Sequence, residues 1–212
     1  MEAEFWRQIW RNNAIGFHEP KANPVLIRNI ELLNLRPHSR FFLPLCGKTL
    51  DIGWLLSKGY RVAGAELSEM AVAQLFDELG VTPEVTELGQ QKRYSAENLD
   101  IFCGDIFDLT AEALGPVDAI FDRAALVALP APTRARYCRH LTAITGHATQ
   151  LLVTFVYPQM LMSGPPFSVT DEEVERHYQG DYQLRRLEGR ALPGGLKGLV
   201  PAAQHVWLLC SD

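Results

Sequence analysis

Short apolar runs alternate with helical stretches between residues 40 and 157. Each run has the length and the residue types of a buried strand: RFFLPL (40–45), RVAGAEL (61–67), LDIFCGD (99–105), VDAIFD (117–122) and TQLLVTFVYP (149–158). Strands that alternate with helices form a mainly parallel sheet, because each crossover helix returns the chain to the same end of the sheet. The sequence therefore predicts an α/β fold. Two later runs, 182–190 and 203–212, are expected to close the sheet as an antiparallel pair.

Helical signals lie between and around these runs. The predicted helices are 49–59, 68–80 with Ser68 as N-cap and Gly80 as stop, 133–146 with Thr133 as N-cap, and a short helix from about Asp171. Residues 82–98 are polar and aperiodic, so we expect either a loop or a small hairpin there. The front segment EAEFWRQIWRNN (2–13) carries an apolar stripe at helical spacing. It predicts an N-terminal helix packed over the carboxyl ends of the strands.

The charge balance limits the partners of this chain. Its 212 residues carry a formal net charge of −5 and the sequence pI is about 5.7. These values exclude a general attraction to nucleic acid or to anionic membranes, and they favour a small or cationic ligand. No run of about 18 apolar residues occurs, and the acidic, amphipathic first residues do not form a secretory signal. We therefore expect a cytoplasmic protein.

The cysteines carry no metal signature. They lie far apart, with no C-x-x-C pair and no histidine at zinc-finger spacing: Cys46, Cys103, Cys138 and Cys210. We expect buried free thiols and no metal site.

The stretch FFLPLCGKTLD (41–51) resembles the end of a nucleotide-triphosphate loop. That loop has the pattern G-x-x-x-x-G-K-[ST], but the position of its first glycine is here Phe42. Pro44 also removes one of the backbone N–H groups that would wrap a phosphate. A phosphate-binding NTPase is therefore disfavoured.

A nucleoside without phosphates fits this turn better. Glu66 closes the second predicted strand about 20 residues after Gly47, the spacing at which doubly wound sheets place an acid that binds ribose hydroxyls. A dinucleotide would need several glycines to seat its pyrophosphate on a helix N-terminus, whereas PLCGK supplies one. The pattern favours S-adenosylmethionine, which combines adenosine with a cationic sulfonium amino acid.

Two further strand ends suit the same ligand. Asp105 and Ile106 follow the third strand, where they could receive the adenine amino edge, and Arg123 follows the fourth, where it could meet the carboxylate of the methionine part. Each residue also has an ordinary structural explanation: Glu66 as a helix-terminal acid, Asp105 as a turn residue, and Arg123 in a surface ion pair. Their placement together at successive strand ends favours a binding site.

The chain resembles the thiopurine S-methyltransferase family, in its shorter bacterial branch, over nearly its whole length. The resemblance rests on FWRQIWRNNAIGFHE (5–19), FFLPLCGKTLDIGWL (41–55), VAGAELSE (62–69), DRAALVALP (122–130), SGPPFSV (163–169) and HVWLL (205–209). It implies a Rossmann-like class I methyltransferase fold, with a mainly parallel seven-stranded sheet, one antiparallel strand and helices on both faces. It also implies one domain over 1–212, with 1–22 as an N-terminal helical lid, and a monomer.

The resemblance also assigns site residues. It implies cofactor contacts from Trp10, Leu45, Glu66, Asp105, Ile106 and Arg123, and a substrate-facing aromatic ring at Phe17. Ala124 stands where glycine also occurs in the family, which affects no contact side chain. An aromatic face attracts a sulfonium cation, which suits Trp10. His18 is a candidate general base, although a single histidine in a loop is more often structural.

These inferences predict an S-adenosylmethionine-dependent methyl transfer to the sulfur of aromatic or heterocyclic thiols such as thiopurines, by in-line displacement. Selenium or tellurium species are further candidates for the natural acceptor. An aromatic thiol is acidic, so no strong base is required, and positioning can supply most of the barrier reduction. The alternative is a non-catalytic nucleoside-binding module, because the fold alone does not confer activity.

Overall fold

The computed structural model describes residues 3–211; Met1, Glu2 and Asp212, at the ends of the predicted domain, lie outside the described residues. Nine strands within this range join one sheet: β1 (Arg40–Leu43), β2 (Arg61–Glu66), β3 (Glu84–Leu88), β4 (Gln91–Ala96), β5 (Leu99–Cys103), β6 (Ala119–Asp122), β7 (Thr149–Val156), β8 (Gln183–Ala191) and β9 (Ala203–Cys210). Their order across the sheet is β3-β4-β5-β2-β1-β6-β7-β9-β8.

The middle of the sheet is parallel, as predicted. Strands β5, β2, β1, β6 and β7 are neighbours that all run in the same direction. Strand β9 pairs antiparallel with β7, and β8 pairs antiparallel with β9, which confirms the predicted closing pair. Because the five central strands are parallel, their carboxyl ends lie along one edge of the sheet.

The sheet is larger than the seven strands predicted, because residues 82–98 form the hairpin that was one of the two alternatives. Strands β3 and β4 pair antiparallel, and β4 pairs antiparallel with β5. Two strands, β4 and β9, therefore run against the parallel set, where one was predicted. Every residue of β3 is exposed, so the hairpin lacks the apolar alternation by which a sequence indicates a strand.

Helices pack on both faces of the sheet. They are α1 (Ala3–Arg11), α2 (Pro24–Asn29), α3 (Leu50–Ser57), α4 (Glu69–Leu79), α5 (Ala111–Leu114), α6 (Ala131–Thr145) and α7 (Asp171–Tyr178). One core cluster holds the buried residues of α3 and α4, and the other holds those of α6 and α7. Phe42 belongs to one cluster and its neighbours Phe41 and Leu43 to the other, because successive side chains of a strand point to opposite faces.

Both predicted ends of α4 are correct, whereas for α6 the predicted end is correct and the predicted start is wrong. The Ser68 hydroxyl accepts a hydrogen bond from the Ala71 N–H, and Gly80 ends α4 with φ of +69°. Helix α6 begins at Ala131, after Pro130, rather than at the predicted cap Thr133. Pro132, in the first turn, is already set at a helical φ and needs no N–H partner there. Thr133 therefore lies inside the helix.

The described cysteines are all free: Cys46, Cys103 and Cys138 are buried, and Cys210 is partly buried. This confirms the expected free thiols and their burial for the first three. Among residues 3–211, no helix has the length and apolar character needed to cross a membrane.

Candidate functional site

A cavity of about 830 Å³ opens at the carboxyl ends of the central strands. Every site residue named from the sequence lines it: Trp10, Phe17, His18, Leu45, Glu66, Asp105, Ile106 and Arg123. Ligands of open α/β sheets bind at this edge, and the volume lies in the upper range of small-molecule sites. The cavity is large enough for a nucleoside cofactor together with a flat acceptor.

The turn after β1 is fastened to the end of β2. The Cys46 N–H donates to the Ala65 carbonyl at 2.9 Å, and the Gly47 N–H donates to Glu66 Oε2 at 2.7 Å. Gly47 has φ of +55°, and a Cβ added there would lie 2.9 Å from the Trp10 ring. Glycine is therefore needed at this position for its backbone conformation and for the close approach of the indole.

Glu66 is a buried carboxylate that no cation neutralises among the described residues. It is 6% exposed, and its second oxygen, Oε1, accepts from the Ser68 N–H at 2.7 Å. Burial raises the pKa of Glu66, and the backbone N–H donors of Ser68 and Gly47 oppose that rise. The Leu67 N–H acts in the same direction. A carboxylate has about four acceptor positions, so these backbone bonds do not use them all.

The loop after β5 is held by two side chains that the sequence did not single out. Asp105 Oδ1 accepts from the Phe107 N–H at 3.0 Å, which starts a 3₁₀ helix over Ile106–Asp108. Gln91 Nε2, on the hairpin, donates to the Asp105 carbonyl at 2.8 Å, and His140 Nε2 lies 2.8 Å from the Ile106 carbonyl. The main chain at the expected adenine position is therefore fixed from both sides.

Arg123 connects the N-terminal segment to the sheet. Its Nη1 donates to the Phe17 carbonyl at 2.9 Å, and its Nη2 pairs with Glu19 Oε1 at 2.6 Å. The Phe17 ring stands edge-on to the rings of Trp6 and Trp10, with centroids 5.8 Å away in each case. The ion pair that was the structural alternative for Arg123 is thus present, and its partner Glu19 also lines the cavity.

Another part of the cavity lining, the apolar wall, carries few charges. Among its residues are Val127, Leu129, Phe155, Pro165 and Pro166. The Tyr157 hydroxyl donates to the Pro166 carbonyl at 2.7 Å, and Lys197 Nζ donates to the Pro165 carbonyl at 2.8 Å. Two motifs of the family resemblance contribute to this wall: DRAALVALP supplies Val127 and Leu129, and SGPPFSV supplies Pro165 and Pro166.

His18 lacks the environment of an oriented general base. Its backbone N–H donates to the Ile15 carbonyl at 2.8 Å, but its ring makes no hydrogen bond to any residue the structure describes. A catalytic base is normally oriented by a third group. Within residues 3–211 no cluster of His, Cys, Asp or Glu could hold a metal ion.

This fold, with a cavity at the carboxyl ends of its parallel strands, is the fold of class I S-adenosylmethionine-dependent methyltransferases. The 1,6-didemethyltoxoflavin-N1-methyltransferase of Burkholderia thailandensis, solved with S-adenosylhomocysteine, has a TM-score of 0.68 at 14% identity, over 99% of this chain and 87% of that chain. Magnesium protoporphyrin IX methyltransferase of Synechocystis PCC 6803, also solved with S-adenosylhomocysteine, has a TM-score of 0.64 at 12% identity, over 99% and 100%. These likenesses show the fold.

Closer relatives give the family. The family model for thiopurine S-methyltransferase matches residues 1–197. The chain is 57% identical over 210 residues to the thiopurine S-methyltransferase of Xanthobacter autotrophicus, covering 99% of both, and 50% identical over 209 residues to that of Teredinibacter turnerae, covering 99% and 97%. The chain therefore belongs to the thiopurine S-methyltransferase family, which confirms the resemblance found in the sequence.

Proposed function

We propose that this methyltransferase acts on the sulfur of aromatic or heterocyclic thiols, thiopurines among them. The observation that carries the proposal is that the lining of one cavity contains both a polar and an apolar set of residues, which form its polar and apolar walls. One wall presents Glu66, Asp105 and Arg123 at successive strand ends, and the other presents apolar and aromatic side chains with few charges. A polar cofactor and a flat, sparingly soluble acceptor suit these two walls.

The residues on the polar wall fit S-adenosylmethionine. Glu66 would accept from the two ribose hydroxyls, because its remaining acceptor positions lack a cation and call for neutral donors. The Asp105–Ile106 loop would receive the adenine, Arg123 would bind the carboxylate, and the Leu45 turn would lie against the methionine part. When bound, the cofactor supplies a methyl group on a positively charged sulfur.

The acceptor side would work by positioning and by excluding water. Phe17 and the Pro165–Pro166 segment would hold an aromatic ring between them. In-line displacement needs the acceptor sulfur about 3 Å from the methyl carbon and opposite the leaving group. Aromatic thiols ionise near neutral pH, which agrees with a His18 ring that no residue of the described part of the chain orients. Selenium and tellurium nucleophiles are softer still than sulfur, and we propose them as further acceptors.

We also propose that residues 1–22 act as a lid on a single domain. The Trp10 ring packs against Gly47, and the Phe17 carbonyl accepts a hydrogen bond from Arg123. The described part of this segment therefore lies over the cavity and would have to move to admit both ligands.

A transfer assay with an acceptor panel tests the proposal. The purified protein is incubated with methyl-labelled S-adenosylmethionine and 6-mercaptopurine, thiophenol, benzeneselenol or phenol, and the products are identified by mass spectrometry. We expect methylation at sulfur and selenium and none at the phenol oxygen. Tight binding of S-adenosylhomocysteine without turnover on any acceptor would instead support the nucleoside-binding module. Competition by ATP with magnesium would support the phosphate loop.

A further inference from the structure

Asp122 is a buried carboxylate at the end of β6, one residue before Arg123. Its side chain has no solvent exposure. Its Oδ1 accepts from the Leu126 N–H at 3.0 Å, and its Oδ2 accepts from the Tyr137 hydroxyl at 2.7 Å. The carboxylate therefore spans the turn from β6 into the 3₁₀ helix Leu126–Ala128 and ties that turn to helix α6.

The turn that Asp122 spans has an unfavourable backbone conformation. Ala124 has φ of +64°, in the left-handed region that residues with a Cβ seldom adopt. Such a conformation persists only where the surrounding structure holds it. The hydrogen bond from the Leu126 N–H to Asp122 closes the turn around Ala124 and supplies that hold, while the Tyr137 hydroxyl fixes the carboxylate itself. The direction of the Arg123 side chain depends on the same turn.

Within residues 3–211, no cation is paired with Asp122. The titratable groups that face it are Tyr137 and Cys138 on α6 and Tyr178 on α7, and burial raises the pKa of each of them. Burial likewise raises the pKa of Asp122 to about 6, against the opposing effect of its hydrogen bonds. A buried charge of this kind is costly, so an amide or an apolar residue would serve the core better.

We infer that Asp122 is a positioning residue for cofactor binding: its carboxylate fixes the turn that aims Arg123 into the cavity. It acts through Arg123 and does not touch the cofactor. This inference rests on the proposed function, in which Arg123 binds the carboxylate of S-adenosylmethionine. Asp122 should therefore affect the binding of the amino-acid part of the cofactor and leave the binding of its nucleoside part unchanged.

The test compares two ligands that differ at that end. S-adenosylhomocysteine carries the amino-acid carboxylate, whereas 5′-methylthioadenosine has the same nucleoside without it. Their dissociation constants are measured by calorimetry for the wild type, Asp122→Asn and Arg123→Ala. The surface variant Asp77→Asn is the matched control, because Asp77 is exposed on α4 and its carboxylate has no hydrogen-bond or ion-pair partner among the described residues.

We expect Arg123→Ala to weaken the binding of S-adenosylhomocysteine about tenfold to a hundredfold, which is the usual effect of a lost charge-assisted hydrogen bond. The affinity for 5′-methylthioadenosine should change by less than about twofold. Asp122→Asn should give the same selectivity with a smaller loss, about threefold to tenfold, and should add little to Arg123→Ala in the double variant. If the role of Asp122 were purely structural, Asp122→Asn would weaken the binding of both ligands equally.

Equal losses for the two ligands in Asp122→Asn, or no loss, would overturn the inference. If that variant does not fold, Tyr137→Phe is measured in its place with the same criterion, because it removes the hydrogen bond from the Tyr137 hydroxyl to the Asp122 carboxylate. An Arg123→Ala variant that binds both ligands like the wild type overturns the inference as well. Methyl transfer to thiols is measured separately, so the proposed function can stand when this inference fails.

Discussion

Replacing Asp122 by asparagine should change how the stability of the fold depends on pH. Burial raises the pKa of this carboxyl from 3.8 to about 6. Because the native pKa lies above the unfolded one, ionisation disfavours the folded state. The penalty is absent well below pH 4 and complete above pH 7, where two pKa units correspond to about 3 kcal/mol. Asparagine keeps the shape and removes the penalty.

The measured quantity is the difference in unfolding free energy between variant and wild type, from urea titrations at pH 5 and pH 8. About half of the penalty is already present at pH 5, so this difference should rise by about 1.5 kcal/mol towards pH 8. Any cost of the altered Tyr137 hydrogen bond is the same at both pH values and cancels. Tyr137→Phe should change stability in the opposite direction at pH 8, because it removes a donor from the charge. A pH-independent difference for Asp122→Asn would refute the reasoning.

Three other substitutions or measurements test the site. Glu66→Gln should weaken the binding of S-adenosylmethionine about tenfold to a hundredfold in calorimetry, because it removes a charged acceptor of hydroxyl hydrogens. Lys48→Ala, which would disable a phosphate loop, should leave this affinity unchanged. The reverse pattern would contradict the cofactor assignment. Amide exchange over residues 5–18 should slow when S-adenosylhomocysteine and an acceptor analogue are added, and an unchanged rate there would count against a lid. Gly47→Ala should lower the melting temperature and cofactor affinity together, because its φ is positive and its Cβ would meet Trp10; wild-type values for both would show that the contact is dispensable.

Residues at strand ends could be predicted because sheet geometry brings them together. Glu66, Asp105 and Arg123 each follow an apolar run, and the carboxyl ends of parallel strands share one edge. The supporting residues could not be predicted this way. Gln91 lies in a hairpin whose pairing is made by backbone groups, and His140 reaches the Ile106 carbonyl across the tertiary structure.

Helix starts show the same division between local and distant causes. Ser68 caps α4 through a bond to a residue three positions away, so the sequence alone was sufficient. At α6 two helix-start signals compete, Thr133 as a cap and the proline at 132 in the first turn, and the proline prevails. The Glu19–Arg123 pair joins segments far apart in the chain. Nothing in the local pattern distinguishes Glu19 from any other surface acid.

The burial of the cysteines decides which sulfur a methyl donor can alkylate. Cys46 lines the cavity itself, yet burial and the nearby Glu66 raise the pKa of its thiol well above the usual value. Burial also raises the pKa of Cys103 to about 11, which leaves roughly one thiolate in ten thousand at pH 7. Thiolates, rather than thiols, are the nucleophiles. An enzyme that methylates thiols thereby keeps Cys46, the cysteine that lines its own cavity, a poor competitor of its acceptors for the methyl group.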